Sequence, residues 1–222
     1  MVCVSIGDVS IEECLEVLDK VEFAEIRMDR MKIEREDVRK IFSSHKNLIA
    51  TFREGEIPEQ KREELLIEAI DHGASYVDVD IQSPFEFIYR VRKKAKEKGS
   101  KLIVSYHDFE KTEPFSELRR ILSTCLSIGD YGKISCKVRK DEDNLNLLRL
   151  LKLPEFKGRV IVTGMGEKGK ITRILSVVLG SPFTFASYRE GKETAEGQIE
   201  KYVLEEILAL LFEGRECLYT QL

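Results

Sequence analysis

Eight short apolar runs, each rich in β-branched or aromatic residues, alternate with eight amphipathic segments along the chain. A strict strand–helix alternation with nothing left over is the pattern of a parallel sheet whose crossovers are helices. The runs fall at 2–6 (VCVSI), 23–27 (FAEIR), 47–53 (NLIATFR), 75–80 (SYVDVD), 101–107 (KLIVSYH), 131–137 (YGKISCK), 159–163 (RVIVT) and 182–187 (PFTFAS). Between them, segments such as EECLEVLDKV and QKREELLIEAIDHG repeat apolar residues at helical spacing. Gly73, Gly99 and Gly180 stand where helices end and can take a left-handed cap. No Pro/Ser-rich linker interrupts the pattern, so residues 1–222 are expected to form one α/β domain, a (β/α)8 TIM barrel. An open doubly wound sheet is the alternative, but its dinucleotide-binding glycine pattern is missing.

Composition narrows the partners. The 222 residues are 42% hydrophobic and 34% charged, enough apolar material for a substantial core in a soluble protein. A net charge of −4 argues against a nucleic acid or an anionic membrane as partner. The start, MVCVSIGDVS, lacks the features of an export leader, and no run approaches the length of a membrane span; a cytoplasmic location is expected. Cys3, Cys14, Cys125, Cys136 and Cys217 are odd in number and widely spaced, which suits reduced thiols better than disulfides or a zinc site.

In a barrel each strand alternates between residues facing the helices and residues facing the interior. Placing the apolar member of each alternation against the helices turns Glu25, Arg27, Thr51, Arg53, Asp78, Asp80, Ser105, His107, Lys133, Ser135 and Lys137 inward. Barrel interiors are normally filled with Val, Ile and Leu, and an unpaired buried charge costs several kcal/mol. One such charge could be a structural ion pair. Convergence from five strands, at the end where barrel enzymes place their chemistry, predicts an active site. Of the three histidines, His45 and His72 fall at helix C-termini, while His107 ends a strand beside the one carrying Lys133. With no HxH, HExxH or Asp-rich loop, neither a metal nor another cofactor is expected.

Two lysines compete for the chemistry. Lys133 lies within the apolar run, where desolvation and nearby Arg27, Arg53 or Arg173 favour the neutral amine that a Schiff-base nucleophile requires. Lys137 joins Arg139 and Lys140 in a basic cluster at the strand exit, read as solvated. The pattern favours Lys133, with Lys137 as the alternative. A lysine, a histidine and no metal suggest carbonyl chemistry through an imine, either aldol cleavage or elimination β to a ketone.

The segments EIRMDR, ATFRE, YHDF, GKIS, GMGEKGKITR and TAEGQ resemble, in order and spacing, type I 3-dehydroquinate dehydratase over essentially the whole chain. The resemblance implies a metal-free barrel enzyme of the shikimate pathway that converts 3-dehydroquinate to 3-dehydroshikimate and water. It implies an imine at Lys133, with His107 as general base and acid. Ser5, Glu25, Arg27, Arg53 and Arg173 match substrate-binding positions, Arg173 gripping the carboxylate. Met165 and Phe185 match the pocket wall, and Thr194, Ala195 and Gln198 a covering segment placed at the opening of the last helix. A homodimer is implied too.

This chain departs from the family in carrying Thr194 for serine and Glu196 for proline, and in a shorter REGEIPE stretch after Arg53. The acid that orients His107 is therefore open among Asp78, Glu54 and Glu56, and Asp80 has no assigned role. A class I aldolase of phosphorylated sugars is the alternative function, since GMGEKGK could hold a phosphate at a helix N-terminus.

Overall fold

The alternation appears as built structure in the computed structural model, which describes residues 1–212. Strands β1 (Val2–Ile6), β2 (Ala24–Arg27), β3 (Leu48–Thr51) and β4 (Tyr76–Asp80) are followed by β5 (Lys101–Asp108), β6 (Tyr131–Lys137), β7 (Val160–Met165) and β8 (Thr184–Ser187). The helices between and after them are α1 (Ile11–Leu18), α2 (Arg35–Ser44), α3 (Glu59–Asp71), α4 (Phe85–Lys98), α5 (Phe115–Ile128), α6 (Asp141–Leu150), α7 (Lys170–Val178) and α8 (Lys201–Phe212).

All neighbouring strands pair in parallel in the order β7-β6-β5-β4-β3-β2-β1-β8. Strands β7 and β8 approach each other without a ladder, so the barrel is nearly closed. Pro58, Pro84 and Pro114 stand at the N-caps of α3, α4 and α5, where a missing N–H costs nothing. Gly99 ends α4 at φ 78°, a conformation that an L side chain resists.

Register explains the burial. Outward residues such as Val4, Ile26, Ala50, Val77 and Val104 pack under the helices, as do Ile134 and Cys136 on β6 and Val138 just past it. Fully burying each of the larger ones contributes about 1.5–3 kcal/mol. The inward set is layered. Cys3, Phe23, Ile49, Ile103, Ile161 and Phe183 close the bottom together with Tyr76 and Tyr131. The next inward residue on each strand is mostly polar: Ser5, Glu25, Thr51, Asp78, Ser105, Lys133 and Thr163, all buried. The dry plug therefore ends halfway up the barrel, and a charged layer begins above it.

Cys3, Cys14, Cys125 and Cys136 are free and buried, and burial pushes the thiols of Cys14, Cys125 and Cys136 up to about 12. Cys217 lies outside the described residues. Among the described residues no helix is long and apolar enough to cross a membrane.

Candidate active site

Above the plug lies a cavity of about 240 Å³, lined by Glu25, Arg27, Arg53, His107, Lys133, Met165, Arg173, Phe185, Thr194, Ala195 and Gln198. These eleven come from six of the eight strand-to-helix units, joined by nothing but barrel closure. Ser5 and Asp78 do not line the cavity but brace residues that do, Ser5 bonding Glu25 and Asp78 bonding Lys133 and Arg53.

Lys133 is 5% exposed, and its Nζ donates to Asp78 Oδ2 at 3.0 Å, with Glu25 Oε1 at 3.8 Å. The Phe185 ring lies beneath the nitrogen, 4.3 Å from Nζ to its centroid. The expectation that arginines would crowd the amine needs correction. Its nearest charged neighbours are carboxylates, and Arg53 reaches it only through Asp78, to which it donates from Nη1 at 2.9 Å. Burial alone would raise Asp78, but Arg53 and Lys133 outweigh it and hold its carboxyl far below the usual range. Glu25 is lowered in the same way: against its burial, Lys133 and Arg27 favour the anion, and it accepts from Ser5 Oγ at 2.5 Å and Thr51 Oγ1 at 2.9 Å.

His107 resolves the question of the orienting acid. Its Nδ1 lies 2.8 Å from Asp80 Oδ2, while Asp78 is engaged by Lys133, Arg53 and Ser105. Glu54 and Glu56 are exposed beyond β3. Asp80, left without a role by the sequence reading, is therefore the partner. An ionised carboxylate can only accept, so Nδ1 carries the hydrogen and Nε2 keeps its lone pair. Burial, with Arg53 and Lys133 adding to it, lowers the imidazole to about 4 despite the opposing pull of Asp80. A neutral base results at neutral pH.

Arg173 is not a surface charge on its helix. It is 1% exposed, with Nη1 3.4 Å from the carbonyl of Phe185, Nη2 3.3 Å from that of Glu196, and Nε unpartnered. Burial lowers it to about 10, with Glu25 opposing the shift. The glycine-rich loop before it serves packing. A Cβ on Gly169 would lie 2.4 Å from the Gly164 carbonyl carbon, so the bare glycine lets α7 press against β7. Thr172 Oγ1 also accepts from Gly164 N at 2.7 Å.

Arg27 is clamped by Asp29 through Nε at 3.0 Å and Nη2 at 2.7 Å. Thr194 does not open the last helix, which begins at Lys201; it lies in the crossing loop, its N–H donating to Gln198 Oε1 at 2.7 Å and its Oγ1 to Ser5 Oγ at 2.7 Å. Gly197 at φ 77° turns the chain between them and interrupts any helix there.

Arg30, Phe109, Ser135, Lys137, Thr163 and Glu196 also line the cavity. Ser135 and Thr163 share the inward parity of Lys133 and were legible from it. Arg30 and Phe109 lie past their strands, where a period of two predicts nothing. Lys137 corrects the reading of a solvated loop: it ends β6 opposite Met165 and pairs with Glu196 over the cavity mouth.

With this geometry established, the relatives are informative. Residues 2–215 match the family model described as type I 3-dehydroquinase. A 3-dehydroquinate dehydratase of Methanocaldococcus jannaschii is 36% identical, covering 95% of this chain and 99% of its own. The type I 3-dehydroquinate dehydratase of Clostridium difficile, solved with covalently modified comenic acid, superposes with a TM-score of 0.84 at 25% identity, covering 96% of this chain and 92% of that one. The Aquifex aeolicus 3-dehydroquinate dehydratase superposes at 0.79 with 29% identity, covering 98% and 100%. The chain belongs to the type I 3-dehydroquinase family, hydro-lyases built on a (β/α)8 barrel.

Proposed function

We propose that this chain dehydrates 3-dehydroquinate to 3-dehydroshikimate through an imine on Lys133, with His107 as the proton carrier. The observation that supports it most is the pairing of a buried amine with a neutral, Asp80-oriented imidazole in one cavity. The Lys133 ammonium gives one proton to His107 and its Nζ attacks the ring ketone; a second proton moves from Nζ to the former ketone oxygen, and His107 returns the first as that oxygen leaves as water. The iminium that remains carries the same single positive charge and occupies the same place between Asp78 and Glu25, so little reorganisation is needed.

The iminium acidifies the adjacent carbon. His107 Nε2 takes a proton there, and the electron pair moves into an enamine. The enamine expels the hydroxyl from the next carbon, and that hydroxyl takes the proton back from His107 as it leaves. Water then hydrolyses the conjugated iminium and returns the ammonium. One water is released net. Arg173, a buried cation with no ion pair among the described residues, is suited to the substrate carboxylate, an ion pair made in a dry site. Glu25, Arg27, Arg53 and Gln198 present donors and acceptors to the ring hydroxyls, and Met165 and Phe185 wall the ring.

The phosphorylated-sugar aldolase is not favoured, since the family and the relatives named above are dehydratases. We extend the family reading to a homodimer in the cytoplasm, the assembly being open to sedimentation measurement. Function is tested by following the conjugated product directly. Wild type should turn over 3-dehydroquinate, Lys133→Met should be inactive, and Arg173→Met should raise KM by about a hundredfold, the value of a lost charge-assisted pair of 2–3 kcal/mol. Wild type inert towards 3-dehydroquinate yet active on a phosphorylated aldehyde would overturn the assignment.

A further inference from the structure

The chemistry leaves two charged residues at the cavity mouth without a task. Lys137 closes β6, and Glu196 rides on the loop that crosses the opening. Their side chains form an ion pair across the gap, 30% and 62% exposed respectively. The backbone beneath this pair is unusually close. Glu196 O accepts from Gly166 N at 3.2 Å, and a Cβ on Gly197 would lie 2.4 Å from Gly166 O. A Cβ on Gly166 would in turn lie 3.2 Å from Lys137 Nζ. Both glycines also have positive φ, 85° and 77°. Two glycines thus let the crossing loop settle on the rim of β7 with the lysine laid over the joint.

We propose that Glu196 and Lys137 form a charged clasp that sets how much of the time the segment Thr194–Gln198 is seated over the cavity. Both are positioning residues: neither touches the reacting atoms, and they act through the seating of Thr194 and Gln198. At the other end of the segment, Arg30 Nη1 donates to Thr194 O at 2.6 Å and Arg27 Nη1 at 3.3 Å. These are bonds to a backbone carbonyl and do not depend on an anionic side chain. The Glu196 end has such bonds too, its carbonyl accepting from Gly166 N and Arg173 Nη2, but it adds the ion pair to Lys137, whose attraction at that exposure is open to screening by salt. An exposed pair of this kind changes an equilibrium by up to about fivefold. The effect on turnover rests on the dehydratase reading; the seating itself does not.

Amide hydrogen exchange, read on the ligand-free protein by peptide mass or NMR, separates the two. The Gly166 amide, bonded to Glu196 O, and the amides of 194–198 should exchange about two- to fivefold faster in Glu196→Gln and in Lys137→Met than in wild type. Wild type in high salt should match them, and the charge-exchanged double variant K137E/E196K should return to the wild-type rate. Gly197→Ala, in which the segment cannot seat, should exchange fast at every salt concentration. In the dehydration assay, KM of Glu196→Gln should rise by the same two- to fivefold and fall back in the double variant.

Wild-type exchange at Gly166 that ignores salt, or single variants that exchange like wild type, would sink the clasp. The wild-type salt titration decides the matter even if a variant fails to fold. Normal clasp exchange in a wild-type protein that does not dehydrate 3-dehydroquinate would instead overturn the functional reading alone.

Discussion

Asp80 shows how one atom pair can carry a mechanism. Its Oδ2 stands 2.8 Å from His107 Nδ1, which leaves Nε2 free to move a proton, and it partly offsets the burial that lowers the imidazole to about 4. Replacing the carboxylate by an amide removes both effects. Asp80→Asn should lower kcat roughly 10²- to 10⁴-fold, the range that general acid–base catalysis supplies. The acid limb of kcat/KM should move below its wild-type position of about 4, because the charge that favours imidazolium is gone. A pH–rate profile with an unmoved acid limb would mean that Asp80 is only scaffolding. The sequence pointed Asp80 inward by strand parity but could not tell it from Asp78, two residues earlier on the same face. The distinction depends on which partner each acid reaches across the barrel: Asp78 meets Lys133 and Asp80 meets His107, although the strand register sets Asp80 opposite Ser105 and Ser105 opposite Lys133.

At the scale of elements, the site depends on how closely α7 lies on β7. Gly169 permits that approach, since a Cβ there would meet Gly164 backbone at 2.4 Å. Gly169→Ala should therefore cost about 1–3 kcal/mol of stability, as overpacking does. It should also raise KM more than it lowers kcat, because Arg173 shifts with the helix. Denaturant titration beside steady-state kinetics measures both. A loss of stability with unchanged KM would separate Arg173 from the helix position. Strand and helix positions were legible in the sequence because alternation and amphipathic spacing are local signals, and the range 131–137 for β6 matches the structure. The start of α8 was not. TAEGQ reads as a helix opening, but the Gln198 side chain accepts from Thr194 N and Gly197 turns left-handed, so the segment folds into a loop that covers the cavity.

The whole molecule joins an apolar barrel floor to a charged layer, and its response to pH follows from that layer. His107 titrates near 4 when folded and near 6.5 when unfolded, so the unfolded chain binds the proton first. As pH falls from about 6.5 to about 4, this group should withdraw on the order of 3 kcal/mol of stability. The lowered carboxyls of Glu25, Asp78 and Asp80 act in the same direction at lower pH: their contribution is full above the ordinary carboxylate range and is lost as pH falls through their folded values. Chemical denaturation at pH 7 and 4.5 should show a smaller loss for His107→Asn than for wild type, and equal losses would contradict the histidine's share. The inward turn of the charges was readable from parity, but their pairing was not. Which acid meets which base is decided by barrel closure, and that brings Glu25 of β2 and Asp78 of β4 to Lys133 of β6. The most direct test of this arrangement is borohydride reduction of the protein with 3-dehydroquinate, followed by peptide mapping. A reduced adduct on Lys133 is the expected result. An adduct on Lys137, or dehydration in the same preparation with no adduct at all, would contradict it.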